Sequence, residues 1–147
     1  MTCTISKFNL EQFTGSQSMY KHHFGKLYYT EGCEYLCANG CAWLIDAIAS
    51  YQGTKALKTE DLKYFQLWEL ALSKMPHAER VCTPIKDRLD GSPYMATLTC
   101  RADSDVEPAI TQEIEYTDCP IDIKLYVELG SLDGVNEHMI CMLPSER

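Results

Sequence analysis

The spacing of hydrophobic residues changes from a helical to a strand-like period along this 147-residue chain. Between residues 41 and 51 apolar side chains recur every three or four positions, which is typical of an amphipathic helix. Beyond residue 110 they alternate with polar side chains, as in a half-buried strand. Helices followed by consecutive strands predict an α+β domain, with N-terminal helices packed on one face of a roughly five-stranded antiparallel sheet.

The pattern marks some of the predicted strands more clearly than others. The clearest cover residues 110–117 and 121–129, where aliphatic residues share one side and charged or polar residues share the other. Between them, Asp118, Cys119 and Pro120 predict a corner, because proline removes a backbone donor from the ladder. Three further strands are predicted at 64–72, 94–100 and 138–143.

Capping and glycine residues place the helix boundaries. Thr30 is a suitable N-cap for a first helix over residues 31–38. Gly40 predicts a break after that helix, and a second helix over 41–51 can end at Gly53. Before them we expect a short helix at 10–13 and then irregular chain.

Length and composition indicate one domain over residues 1–147. A chain of this size with 46% hydrophobic residues buries about two-thirds of its unfolded surface, so it needs no metal or disulfide for stability. Residues from about 73 to 93 lack a clear period and predict an inserted loop, with room for a short helix at 85–89.

The sequence also bears on where the protein works. Its first residues, MTCTISKFNL, lack the charged and apolar regions of an export signal, and no run approaches the roughly 18 apolar residues that span a bilayer. We therefore expect a cytoplasmic protein with no membrane association. In that reducing compartment the eight cysteines should be free thiols.

The formal charge of −8 is spread without any basic cluster. Direct binding to nucleic acid is not expected, because such binding rests on grouped lysines and arginines that contact phosphates. An acidic surface can instead bind a basic protein, or occupy a groove that normally holds nucleic acid. A protein partner is therefore expected.

Cys33, Cys37 and Cys41 recur at four-residue intervals, and with His22 or His23 they would supply four zinc ligands. Structural zinc sites usually place cysteine pairs across a tight turn, however, and the break at Gly40 would divide this stripe. We therefore predict no metal and no other cofactor. The three cysteines are interpreted as small hydrophobic residues of the core.

Asp46 lies in the most hydrophobic part of the second helix. A buried carboxylate needs a partner, and the expected ones are a backbone donor, a tyrosine hydroxyl, His22 or His23. A hydrogen bond that ties the helix to the preceding loop is the simpler interpretation, and an Asp–His pair acting as a general base is the alternative. If the protein has a catalytic or binding site, we predict it at His22, His23, Tyr29 and Asp46.

The sequence contains no GxSxG, P-loop, GxGxxG or HExxH motif. It therefore gives no positive support for an enzyme. A small enzyme or small-molecule binder with a His/Tyr/Asp pocket stays as the alternative hypothesis.

Several segments resemble a bacterial family of small proteins, found in cyanobacteria, on plasmids and in phages, that is known only as a domain of unknown function. These segments are YKHHFGKLYYTEGCEYL, CAWLIDAIASYQ, FQLWEL, QEIEYTDCPIDIKLYV and MLPSER. The resemblance extends from about residue 20 onward and implies an α+β fold, with small apolar residues at the positions of the three helix cysteines. It implies no activity.

Charge, missing motifs and this resemblance together predict a non-catalytic acidic interaction protein. Its specific form is expected to be a mobile-element accessory protein that inhibits a host defence complex, of the anti-CRISPR or anti-restriction type. The expected partner is then a nucleic-acid-binding protein of that complex.

Overall fold

Seven strands form one sheet in the computed structural model, which describes residues 10–14, 18–74, 94–117, 121–131 and 134–147. The strands are β1 (Tyr20–Lys21), β2 (Tyr28–Tyr29), β3 (Phe65–Lys74), β4 (Tyr94–Arg101), β5 (Ile110–Thr117), β6 (Ile123–Ser131) and β7 (Glu137–Met142). Their order across the sheet is β1-β2-β7-β6-β3-β4-β5. Neighbouring strands are antiparallel except β2 and β7, which are parallel.

The sheet confirms the α+β class but corrects the prediction of about five antiparallel strands. The five long strands all lie within two residues of their predicted bounds. The two additional strands, β1 and β2, have two residues each and fall in the stretch that was expected to be irregular. Two residues are too few to show an alternating pattern. These strands form because β2 pairs with β7, Tyr28 opposite Ile140, which is a contact between distant parts of the chain.

The predicted inserted loop at about 73–93 falls between β3 and β4. Ser73 and Lys74 still belong to β3, so the connection begins later than predicted. Residues 75–93, with the short helix predicted at 85–89, lie outside the described residues, as does the predicted corner at 118–120.

The predicted pair of helices is one interrupted helical stretch. Helix α1 (Glu31–Leu36) leads through a distorted turn (Cys37–Cys41) into helix α2 (Ala42–Tyr51). Gly40 causes the interruption, since its φ of 99° is left-handed backbone that glycine adopts without a steric penalty. The break is therefore where the sequence predicts it, and α1 is two residues shorter than expected.

The other boundaries of this stretch follow local chemistry. Thr30 caps α1 as predicted, because its hydroxyl accepts the Cys33 amide. Gly53, with φ of 84°, follows the end of α2. The short helix predicted at 10–13 is represented by Leu10 and Glu11, which have helical geometry. No helix in the described part of the chain is long and apolar enough to cross a membrane.

The core lies between the helices and one face of the sheet. The sheet residues on this face include Trp68, and strand alternation places its neighbours Leu98 and Leu125 on the same side. The largest side chains buried here are Leu36, Leu44, Ile45 and Ile48 from the helices and Trp68, Leu70, Leu98, Leu125 and Val127 from the sheet. Phe65, Tyr126 and Glu128 alternate with these residues and therefore point to the opposite face.

A buried amide pair joins the end of α2 to β3. The amides of Gln52 and Gln66 donate to each other at 2.9 and 3.1 Å, and each also donates to a backbone carbonyl, of Ile48 and Leu62 respectively. The indole N–H of Trp68 donates to the same Gln66 oxygen at 2.9 Å. Hydrogen bonds satisfy the whole cluster, which therefore fixes α2 on the sheet.

The start of α1 is held by a residue from the other end of the chain. The Glu146 carboxylate accepts the Thr30 hydroxyl at 2.6 Å, the Gly32 amide at 3.1 Å and the Leu143 amide at 3.0 Å. A carboxylate is favourable at a helix N-terminus because the first amides lack intrahelical partners. A Cβ on Gly32 would lie 2.5 Å from Glu146 Oε1, so only glycine admits this contact.

Candidate functional site

A tight hairpin brings the predicted histidines to helix α2. Strands β1 and β2 pair Tyr20 with Tyr29, and the amide of His22 donates to the Leu27 carbonyl at 2.8 Å. Gly25, with φ of 79°, allows the chain to turn between them. The loop positions His22 against the outer side of α2.

His22 is the partner of Asp46. Its Nε2 lies 2.6 Å from Asp46 Oδ1. His22 is the more buried of the two, since its side chain is 4% exposed, whereas that of Asp46 is 48% exposed. The apolar neighbours of Asp46 in sequence lie on the buried side of α2, while Asp46 lies near its edge. The carboxylate therefore keeps water on one side and compensates a buried imidazole on the other.

The hydrogen bonds of His22 favour one of its two neutral tautomers. The amide of Phe24 donates to its Nδ1 at 3.1 Å, so Nδ1 carries no proton. A neutral imidazole then has its proton on Nε2, where it is donated to Asp46. Both ring nitrogens are used within the protein, and a substrate would have to break one of these bonds to reach a lone pair.

His23 completes a cluster whose distances would suit a metal ion. Its ring stacks on that of His22 with centroids 4.2 Å apart, and ligand atoms of His22, His23 and Asp46 lie within 4.8 Å of one another. A metal-bound histidine normally donates its second N–H to an acceptor, whereas Nδ1 of His22 faces the N–H of Phe24. The arrangement suits hydrogen bonding better than coordination.

Tyr29 lies next to this cluster, with its ring centroid 6.4 Å from that of His22. Its hydroxyl is hydrogen-bonded to Glu34, and partial burial together with the negative charges nearby raises its pKa to about 12. The phenol therefore stays protonated at neutral pH. It is a poor general base in this state.

The three helix cysteines do not converge on a common point. Cys33 lies against Cys141 of β7, with their Sγ atoms 3.7 Å apart, while Cys41 is buried in the core. Burial, together with the nearby charge of Glu34, raises the pKa of Cys37 to about 12. The hydrogen bond with Cys33 and burial raise the pKa of Cys141. Metal ligation and nucleophilic attack both need thiolates, so the raised pKa values hold Cys37 and Cys141 in their inert form.

A concavity of about 860 Å³ lies elsewhere, at the ends of β3 and β6. Its wall includes Glu11, Glu69, Asp122 and Lys124, and none of the four predicted site residues lines it. The Asp122 carboxylate in this wall accepts a hydrogen bond from the Leu72 amide at 2.8 Å. The predicted site residues therefore lie apart from this concavity.

Sequence reasoning missed the exposed side chains around the cluster. Met19, Tyr20 and Phe24 are 37%, 38% and 48% exposed. The available signal was the number of aromatic residues in a stretch predicted to be irregular. A large apolar residue is informative when it is exposed, and whether it is exposed or buried cannot be inferred without the fold.

The fold and the cluster define a small α+β protein with one helix-covered face and a histidine–aspartate pair at its margin. A family model described as a family of unknown function, DUF6876, matches residues 4–147, so the chain belongs to that family. The match begins earlier than residue 20, where the sequence resemblance begins. No curated protein and no solved structure matches the chain significantly.

Proposed function

We propose that this protein is a non-catalytic acidic interaction protein. The observation that carries the proposal is the state of the candidate reactive groups. Both nitrogens of His22 are hydrogen-bonded, and the pKa values of Tyr29 and Cys37 are raised to about 12. A general base needs a free lone pair near neutral pH, and a cysteine nucleophile needs a thiolate. Protein binding requires neither.

The surface best suited to a partner is the hairpin patch, which we define as Met19, Tyr20, His23, Phe24 and Asp46. Its three large apolar side chains are substantially exposed, and methionine and aromatic residues are enriched at protein interfaces. The half-exposed carboxylate of Asp46 is linked to the aromatic residues through the ring contacts of His22. The net charge of the whole chain, −8, favours a basic partner.

In its specific form, the proposal is a mobile-element accessory protein that inhibits a host defence complex of the anti-CRISPR or anti-restriction type. An acidic protein can compete with nucleic acid for a positively charged groove, because both present negative charge to it. The charge of −8 and the absence of a basic cluster support this form. The partner is then a nucleic-acid-binding protein.

The test is affinity capture from a bacterial lysate with the wild-type protein and a Tyr20→Ala/Phe24→Ala variant. We expect a basic partner in stoichiometric amount with the wild type and at least tenfold less with the variant. Tyr64→Ala is the matched control, since Tyr64 is 56% exposed and lies outside the patch. No stoichiometric partner, together with no effect of expression on restriction or CRISPR interference, would contradict the proposal.

A second candidate is a small enzyme or small-molecule binder at His22, His23, Tyr29 and Asp46. The close approach of the ligand atoms of three of these residues favours it. Nitrogen-15 spectra of the histidine rings discriminate the two candidates. Protonation of His22 at Nε2 alone supports the interaction protein, whereas an unprotonated Nε2 at neutral pH supports the second candidate.

A further inference from the structure

We propose that Phe65, Tyr126 and Glu128 form a binding site for an arginine side chain. The site lies on the sheet face opposite the helices, and Arg147 occupies it in the free protein. A basic protein partner would displace Arg147 and insert an arginine of its own.

The contacts of Arg147 show the chemistry of this site. Its Nε lies 2.5 Å from Glu128 Oε1. Its guanidinium carbon lies 4.9 Å from the Phe65 ring centroid and 5.4 Å from that of Tyr126. The two rings are 5.3 Å apart and tilted by 57°, so they offer two faces to one planar cation.

Strand register builds the site. Phe65 of β3 pairs directly with Glu128 of β6, and Tyr126 lies two residues before Glu128 on the same side of the strand. Ring faces attract a cation, and the carboxylate supplies the opposite charge. A guanidinium is planar, stacks on rings and donates in a fixed geometry, so this set favours arginine over lysine.

Glu128 needs a cation at this position. Its Oε1 atom is buried and makes no hydrogen bond of good geometry to the described residues, so the ion pair with Arg147 is its compensation. A buried carboxylate oxygen without such a contact is unfavourable. A second arginine would restore this ion pair when Arg147 leaves the site.

Arg147 itself is easily displaced. Its side chain is 56% exposed, and exposed ion pairs and ring contacts are individually weak. The segment that carries it is held separately by Glu146 at the start of α1. The Arg147 side chain can therefore leave the site while the fold is kept. The net charge of −8 favours a basic partner in its place.

The site is independent of the hairpin patch. Tyr20 and Tyr29 share the register of Cys141, on the helix-covered side of the sheet, whereas Phe65 and Glu128 lie on the other side. The arginine site can therefore be tested without a partner protein, and either proposal can fail alone.

The experiment is an NMR titration of the full chain with the peptide acetyl-Gly-Arg-Gly-amide. We expect Arg147→Ala to bind it at least twofold more tightly than the wild type, because a tethered side chain that fills the site at least half of the time lowers the apparent affinity of a free competitor by at least that factor. Shifts should centre on the Phe65 and Tyr126 rings. The same peptide with lysine should bind several-fold more weakly, and the citrulline peptide, which is neutral, should not bind measurably.

Paired variants identify the carboxylate. In the Arg147→Ala background, Glu128→Gln should abolish binding, while Glu113→Gln on β5 should leave it unchanged, since Glu113 is an exposed carboxylate outside the site. Phe65→Leu provides a second site variant should Glu128→Gln impair folding, which thermal unfolding would reveal. Absence of saturable arginine binding to Arg147→Ala, or equal losses from Glu128→Gln and Glu113→Gln, would overturn the proposal.

Discussion

Two of the polar pairs that join α2 to the rest of the protein differ in their access to water. Gln52 and Gln66 are buried, and protein hydrogen bonds use their amides fully. His22 and Asp46 lie at the margin, with the imidazole buried and the carboxylate half exposed. The satisfied interior pair contributes to stability alone, whereas the marginal pair also presents charge to solvent.

The largest effect should come from breaking the interior pair. Gln66→Ala leaves the Gln52 amide and the Trp68 indole N–H without their shared acceptor, so we expect a loss of about 3 kcal/mol in the free energy of unfolding. Gln52→Ala should cost about 2 kcal/mol, since Trp68 keeps its bond. Urea unfolding measures both losses.

The double variant sharpens this result. Gln52→Ala/Gln66→Ala should lose at least about 1 kcal/mol less than the sum of the single losses, because each single change leaves the other amide without its partner. Simple additivity would show that the amide pair does not act as a unit.

Substitutions of His22 and Asp46, the two members of the marginal pair, should lower the free energy of unfolding by unequal amounts. His22→Ala removes a buried ring that contacts Phe24 and Tyr29, and should cost about 2 kcal/mol. Asp46→Asn keeps an oxygen that accepts the Nε2 proton and should cost less than about 1 kcal/mol. Urea unfolding tests this order. A larger loss from Asp46→Asn would mean that the carboxylate is the structural member of the pair.

Two thiols extend the comparison to high pH. Burial raises the pKa of Cys100, on the interior face, from 9.0 to about 12. As the pH rises, the Cys100 thiol therefore ionises in the unfolded chain before it ionises in the folded protein. The contribution of Cys100 to the free energy of unfolding is intact below about pH 9 and is lost as the pH rises toward 12. Between these pH values the free energy of unfolding should fall by about 1.4 kcal/mol per pH unit for one such thiol.

Urea unfolding between pH 8 and pH 11 under reducing conditions measures this slope. Cys100→Ala should reduce this slope by the contribution of about one titrating proton. Cys37→Ala should reduce it less, because Cys37 is only partly buried and solvent screens its charge. Equal slopes in the wild type and Cys100→Ala would show that the interior thiol does not resist ionisation.

The smallest effect concerns metal. Zinc added in slight excess should leave the melting temperature unchanged, because Nδ1 of His22 accepts a backbone N–H and cannot support a metal on Nε2. Differential scanning fluorimetry with and without chelator checks this. A zinc-dependent increase that disappears in Asp46→Asn would favour the enzyme or binder hypothesis instead.

The sequence predicted the fold class and the long elements because their signals are local. Alternation over eight residues locates β5, and the hydroxyl of Thr30 caps α1 within one turn. Gly40 breaks the helical stretch by its own backbone freedom. Each of these features needs only neighbouring residues, so one sequence is enough to place it.

The candidate site was predictable only as a set of residue types. The need of Asp46 for a partner follows from its apolar neighbours, and His22 was among the expected partners. Which of the two is buried depends on how α2 rotates against the hairpin, and that rotation is set by core packing around residues such as Ile45 and Ile48.

The helices, the long strands, the acidic charge and the residue types available for a site all follow from local sequence and composition. Tertiary structure alone decided the pairing of β2 with β7, the contact of Cys33 with Cys141 and the docking of Arg147 on Phe65. The physical reason is separation along the chain. Local propensity acts over a few residues, whereas these contacts join positions about 80 to 110 residues apart and exist only once the core has brought them together.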